Sequence, residues 1–269
     1  MLYKIGDVSR ILDISTDLLR YYEKKGVVTP TKDKNNDYRY YDSWDINFLI
    51  DCIWYKNFGF GIEQIAHMVS QCPYDGLLDM LDEKREEIEE TIRHQKLLLQ
   101  QINQHVDGIS KVREYIGKCD LSMSPDIVSY LNRYNFLYDN SPEVQKLSRQ
   151  WMKYMPFAKR YFEISKEGIL GNGEDYAWGF SLDMPYAEEF DAPICPPVTH
   201  YPPQKCIHSA FKSTGKNAFT PRHLDYVMDY AEEKGLKLSG GARGNLVCSV
   251  FEDNGVTGYF EVWLPVEEQ

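Results

Sequence analysis

The sequence predicts an α+β multi-domain chain. An N-terminal winged helix-turn-helix is expected over 1–74, a long dimerising coiled-coil helix over 75–118, and a C-terminal duplicated β-α-β-β domain over 119–269. Three observations carry this. Residues 3–65 compress two short helix signals, a turn-rich hairpin and a further helix pair into one stretch. Positions at alternating steps of four and three from Ile88 to Ile116 are then apolar except at Gln95 and Arg113. The remainder runs twice through the order strand, helix, strand, strand.

In the first stretch Ile5, Val8, Ile11 and Leu12 recur at helical spacing, and Ser15 is a good N-cap for a second helix from Thr16 to Lys25. That helix is the expected reader. With Leu18 and Leu19 turned to the core, Arg20, Tyr21, Lys24 and Lys25 are left to meet phosphates or base edges. Gly26 ends it, Val27 and Val28 begin an extended segment, and Asn35, Asn36 and Asp37 supply turn residues. Tyr38, Arg39, Tyr40 and Tyr41 return as the second wing strand. Alternation puts Tyr38 and Tyr40 on one face, Arg39 and Tyr41 on the other.

These motifs resemble the MerR family of transcription regulators. The helix text LRYYE stands at Leu19–Glu23, the wing text at Asp37–Tyr41, and the GFxxxxI helix start at Gly59–Ile65. The resemblance implies DNA contacts from Arg20, Tyr21, Tyr38 and Arg39, supported by Lys24 and Tyr40, with Ser15, Thr16 and Asp17 opening the recognition helix. Two positions depart from the pattern: Asp37 where the family often has glycine, and Asp17 where it often has a basic residue.

From about Asp75 the composition shifts to charged helix formers. Ile88, Ile92, Gln95, Leu99, Ile102, Val106, Ile109, Arg113 and Ile116 form a coiled-coil seam. A helix from Leu81 to Ile116 would run roughly 54 Å, too long to be covered by a small domain of its own chain. A second copy is the expected partner. The family resemblance implies that the two helices run antiparallel.

The remaining segment reads as IVSYLNRYNFLY (strand), a helix over 142–161, DYAWGFSLDM (strand), and a Pro-rich loop from Cys195 to Pro203. Then come KCIHSAFKST (strand), a helix opened by Thr220 and Pro221, and the strands LVCSVFED and GYFEVWLPV. The C-terminal half resembles the GyrI-like effector domain of BmrR-type regulators through its element order, the FTPRH helix start and the ending EVWLPV. Twelve tyrosines lie at or beyond Tyr115, which suits a pocket for flat hydrophobic molecules. Tyr176 and Phe219 match the family's pocket aromatics, and Trp151 and Tyr154 on the preceding helix are further candidates. Gly240–Val250 lacks the acid that the family pattern places there, so Glu261 on the last strand is the best available acid.

Composition limits the alternatives. The chain has 269 residues and a net charge of −11, of which 120–269 hold 14 Lys/Arg against 21 Asp/Glu. Residues 1–75 hold nine Lys/Arg against eleven Asp/Glu, so DNA affinity must come from sorting cations to one face and doubling them in a dimer. No apolar run approaches a membrane span and no signal run opens the chain, so a cytoplasmic protein is expected. Six scattered cysteines fit reduced thiols.

The expected function is a ligand-responsive regulator with double-stranded operator DNA, RNA polymerase, a small hydrophobic aromatic ligand and a second copy of itself as partners. The resemblance implies activation by distorting a promoter spacer. No cofactor, resident metal or catalytic residue is expected. Two alternatives stand beside it: a metal or thiol sensor using Cys72 and Cys119, and a GyrI-like enzyme, for which Cys206 and His208 lie close in sequence but lack a placed third partner.

Overall fold

The computed structural model describes residues 2–33, 38–171, 175–252 and 255–267. The turn residues Asn35, Asn36 and Asp37 lie outside them. The chain divides into two compact units, Met1–Gln95 and Lys96–Gln269.

The first unit runs β1 (Tyr3–Lys4), α1 (Ile5–Leu12), α2 (Thr16–Lys24), β2 (Thr31–Lys32), β3 (Arg39–Tyr41), α3 (Ser43–Asn57), α4 (Ile62–Ser70) and the opening turns of α5 (Tyr74–Tyr115). Asp13 turns the chain between α1 and α2 at a left-handed φ of 52°. Ser15 caps α2 as expected, its Oγ accepting from the Leu18 N–H at 3.1 Å. The three strands order β1-β3-β2, with Tyr3 opposite Tyr41 and Thr31 opposite Tyr40. Asp42 caps α3 by accepting from the N–H groups of Trp44 and Asp45. Val8, Leu19, Tyr22, Tyr41, Leu49 and Ile65 form the buried centre. Val27 and Val28 belong to that core, and the wing strand starts only at Thr31. Two buried apolar neighbours suit a linker held against the helices better than an alternating strand.

The remaining turns of α5 open the second unit. Then follow β4 (Cys119–Met123), β5 (Ile127–Tyr134), β6 (Leu137–Tyr138), α6 (Pro142–Trp151), β7 (Lys159–Ile164), α7 (Lys166–Leu170), β8 (Tyr176–Asp183), α8 (Met184–Glu189), β9 (Thr199–Tyr201), β10 (Lys205–Thr214), α9 (Asp225–Glu233), β11 (Ala242–Glu252) and β12 (Gly255–Pro265). The strands form one sheet in the order β4-β10-β12-β11-β7-β8-β5-β6, with β9 on β5. The sets β5-α6-β7-β8 and β10-α9-β11-β12 therefore repeat one arrangement, in each of which the last strand lies between the other two. They meet edge to edge where β7 pairs β11 from Ala242 opposite Ile164 to Asn245 opposite Tyr161.

Two further sequence expectations need correction. The helix expected over 142–161 ends at Trp151, and its last residues are β7. Pro156 cannot donate to a helical ladder, and Tyr161 and Phe162 are both fully buried, as in a strand covered on two faces. The seam residue Ile116 lies past the end of α5. Gly117 turns at a φ of 73°, and Ile116 bridges to Ala210 beside Val112 and Tyr259.

Gly244 makes the join between the repeats possible. A Cβ there would fall 2.2 Å from the Glu261 carbonyl oxygen and 2.5 Å from Phe162 Cζ. Gly244→Ala is expected to cost about 2–3 kcal/mol, lowering the Tm of this unit by roughly 5–10 °C. A thermal melt followed by circular dichroism checks it, and an unchanged Tm would show that the join can shift at no cost.

Candidate functional site

On α2 the residues Asp17, Arg20, Tyr21 and Lys24 are all exposed, and their spacing of three, four and seven puts them on one face. The opposite face holds Leu19 and Tyr22 in the core. Thr16 is half-buried at the start of the helix. Arg20 Nη1 lies 3.0 Å from Asp17 Oδ1, so the acid at the head of this exposed face is already engaged with its first cation. Lys25 is drawn aside to Glu63 at 2.5 Å.

The wing is braced against this helix by charge. Arg39 Nε lies 2.5 Å from Glu23 Oε2, and Lys32 Nζ is 3.8 Å from Glu23 Oε1. Arg39 thus shares the inner face of β3 with the fully buried Tyr41, and its guanidinium ties wing to reader. Tyr38 is 58% exposed on the outer side, with Lys4 Nζ 5.8 Å from its ring centroid, and Tyr40 is half-buried. A surface carrying Arg20, Tyr21, Lys24, Lys4 and Tyr38 can anchor a phosphate backbone.

On α5, Ile88, Ile92, Leu99, Ile102, Val106 and Ile109 are exposed. Gln101 and Val112 on the same helix are buried. Six exposed apolar side chains in a 4-3 pattern, interrupted only at Gln95, form an uncovered seam.

The structure distributes the five expected effector residues among three places. Tyr176 and Phe219 come together, ring centroids 5.2 Å apart, and Phe219 also packs 4.8 Å from Trp178 and 5.0 Å from Phe162. Trp151 and Tyr154 belong to a separate core beneath α6: Trp151 is fully buried 4.9 Å from Tyr130, and Tyr154 stacks on Phe190. Glu261 lies on the opposite sheet face from Phe260 and Val262, which join the Tyr176 cluster. Its Oε1 is 2.7 Å from His208 Nε2.

A cavity of about 510 Å³ opens beside Tyr176, walled by Tyr134, Tyr201, Glu163, Asp175 and Arg243. Glu163 accepts a hydrogen bond from the Tyr161 hydroxyl at 2.7 Å, and Tyr201 bonds the same carboxylate. Burial, with Glu163 adding to it, pushes Tyr201 up to about 12 and Tyr161 well above its ordinary value, so both stay neutral donors. The Arg243 guanidinium lies 4.1 Å from the centre of the Tyr201 ring. Sequence reasoning missed Glu163 because the first half of its strand, up to Tyr161, was read as helix and the rest was assigned to no element; Pro156 just upstream was the available signal.

His208 is held from both sides, by Glu261 and by Asp120 at 3.2 Å. Burial opposes its charge, but the two carboxylates outweigh burial and raise its pKa above the ordinary 6.5. A raised folded value gives stability that is complete below the unfolded pKa and is lost as pH climbs through the folded one. His208→Gln is therefore expected to destabilise most at acid pH, the gap to the parent closing as pH rises above 6.5. Thermal melts between about pH 5.5 and 9 check this. A gap that stays constant would mean that the imidazolium is not what the carboxylates hold.

Burial disfavours the thiolate at two of the cysteines. Cys206 is fully buried and Cys119 donates to Ser209 Oγ at 3.7 Å; burial pushes both pKa values up. Cys72 donates to the Pro73 carbonyl. Among the described residues no group of three or more His, Cys, Asp or Glu could hold a metal ion, and no helix is long and apolar enough to cross a membrane.

Comparison with known proteins places the first unit. Residues 3–72 match the family model of the MerR HTH family regulatory proteins. The HTH-type transcriptional regulator CueR of Escherichia coli O157:H7 is 30% identical over 102 residues, 37% of this chain and 76% of CueR. An uncharacterized HTH-type regulator, YyaN of Bacillus subtilis, is 38% identical over 69 residues, 26% of this chain and half of its own length. A cryo-EM structure of an EcmrR-DNA complex in EcmrR-RPo aligns over 99% of this chain and all of that one, at 19% identity and a TM-score of 0.38. With its capped reading helix, its wing and the long helix that follows, the chain belongs to the MerR family of helix-turn-helix transcription regulators.

Proposed function

We propose that this regulator works as a cytoplasmic homodimer whose C-terminal unit is a GyrI-like effector domain sensing a small hydrophobic aromatic molecule. The observation that carries the reading is the combination of an exposed reading face on α2 with an uncovered apolar seam on α5. A head whose segment is net negative binds DNA poorly alone, and two heads joined through the seam double the phosphate contacts. An antiparallel coiled coil of two α5 helices is the joining device. Ser15, Thr16, Asp17, Arg20, Tyr21, Lys24, Tyr38 and Tyr40 form the operator surface, with Arg39 holding the wing in place.

The effector binds in the 510 Å³ cavity, where Tyr134, Tyr176 and Tyr201 offer ring faces and Glu163 offers a carboxylate. Phe219 packs beside it on Tyr176, while Trp151 and Tyr154 support α6 from within. A carboxylate among aromatic rings suits a flat cation or a strong hydrogen-bond donor. Bound ligand biases the geometry of the two heads, and the dimer distorts an over-long promoter spacer so that RNA polymerase engages both elements.

Run-off transcription from the protein's own promoter, with and without 1-ethylquinolinium, tests this. More transcript with the DNA still occupied supports activation by distortion; ligand that simply releases the DNA points to a repressor. Glu163→Gln should abolish the preference for 1-ethylquinolinium over its neutral isostere 1-ethylnaphthalene. A metal or thiol sensor using Cys72 and Cys119 has less support, because burial holds Cys119 away from the thiolate that a soft ion needs. An unchanged response after replacing both by Ser would dispose of it.

A further inference from the structure

The cavity beside Tyr176 is bounded by opposite charges that the sheet sets side by side. Glu163 of β7 and Arg243 of β11 are direct partners in the antiparallel register, and both line the cavity. Residues so opposed hold their Cβ atoms roughly 5 Å apart on one face of the sheet. The two are not joined by an ion pair: Glu163 instead takes the hydroxyls of Tyr161 and Tyr201, and the Arg243 guanidinium lies over the Tyr201 ring. Tyr201 thus stands between the charges, its hydroxyl on one and its face on the other.

The charged residues lining this space, Glu163, Asp175 and Arg243, are satisfied in different ways. Asp175 is exposed, so water solvates it. Glu163 is half-buried and holds two tyrosine hydroxyls. Arg243 is half-buried too, but among the described residues no carboxylate or other acceptor meets its nitrogens, and those nitrogens are not sealed from solvent. A ring face attracts the guanidinium charge without replacing the carboxylate that its fork of N–H groups fits. A ligand bearing only a cation would therefore meet Glu163 and leave Arg243 facing it unrelieved. One bearing only an anion would have the reverse fault.

We propose that the cavity takes a zwitterion of the aromatic α-amino acid class, with its ammonium on Glu163, its carboxylate on Arg243 and its ring among Tyr134, Tyr176 and Tyr201. An α-amino acid carries both charges on one carbon, which matches two partners opposed across a single strand pair. The guanidinium can donate two parallel hydrogen bonds to the carboxylate. Glu163 keeps acceptor capacity for the ammonium, because a carboxylate offers about four lone-pair sites and the tyrosine hydroxyls use two. The volume of about 510 Å³ lies within the range of small-molecule sites. This inference names the ligand class of the effector site proposed above and rests on that reading.

Isothermal titration of the full chain with L-tryptophan, tryptamine and 3-indolepropionate tests this, since tryptamine lacks the carboxylate and 3-indolepropionate the ammonium. The expected Kd for L-tryptophan is at least about tenfold below that of either analogue, the worth of one hydrogen-bonded charge contact. Arg243→Gln should erase the preference over tryptamine, and Glu163→Gln the preference over 3-indolepropionate. Each ratio is read on one preparation, so a loss of folded protein lowers the stoichiometry and leaves the preference intact. Either analogue bound as tightly as L-tryptophan, a preference that survives its substitution, or no binding of the three would overturn the zwitterion. Binding of 1-ethylquinolinium by the same preparation would then show that the effector site itself had survived. If 1-ethylquinolinium also fails to bind, the reading on which the inference rests falls with it.

Discussion

The double substitution Leu99→Asp/Ile102→Asp is expected to turn the protein into a monomer in sedimentation equilibrium, with its fold intact. Both side chains are exposed in the single chain, 60% and 58%, so each chain loses almost no packing of its own. In a dimer each would be buried, at about 1.5 kcal/mol or more per side chain. Four such losses amount to roughly 6 kcal/mol, a weakening of more than about 10⁴-fold. Buried carboxylates facing one another would add to it. Circular dichroism should show unchanged helix content, and Asn103→Asp, on the same stretch but off the seam, should leave the dimer alone. Operator affinity should fall with dimerisation, because each free head has only its own cations. A double variant that still sediments as a dimer would place the interface elsewhere and leave the seam without an assigned partner.

How far the sequence was legible depended on the range of the interactions that fix each part. The helix-turn-helix is set locally: Ser15 bonds a group three residues away and Asp42 caps α3 from the adjoining position, so spacing and residue type suffice. The seam was legible for the same reason, since a 4-3 repeat is a property of one helix. Ile116 misled because it continued the repeat past the point where Gly117 turns the chain. The strand β7 was hidden because Tyr161 and Phe162 are both fully buried between layers, which erases the alternation that marks a strand. With it went Glu163, the acid of the cavity beside Tyr176. Trp151 illustrates a different limit. An aromatic residue on an amphipathic helix looks the same in a pocket and in a core, and only its contact with Tyr130 shows which.

Arg20→Ala is expected to weaken binding of the protein's own upstream DNA at least about 30-fold, from a loss of roughly 1 kcal/mol at each of two heads. The slope of log affinity against log salt should become shallower by about two. Asp17 sits on the same face, 3.0 Å from that guanidinium, and both side chains are largely exposed. Such a pair adds little to folding, so Asp17→Asn should leave the Tm nearly unchanged. On the proposed operator surface the two residues would oppose each other toward DNA, the carboxylate neutralising the cation and repelling an incoming phosphate. Asp17→Asn should therefore tighten binding to duplexes of any sequence, by about fivefold, and steepen the salt slope. Filter binding across a salt series separates this from a base-reading role. A carboxylate can accept from the amino group of cytosine in the major groove. If Asp17 does so, the Asn variant would lose affinity for its own operator while gaining it for unrelated DNA, and the departure at Asp17 would mark sequence preference instead of restraint on the reading helix.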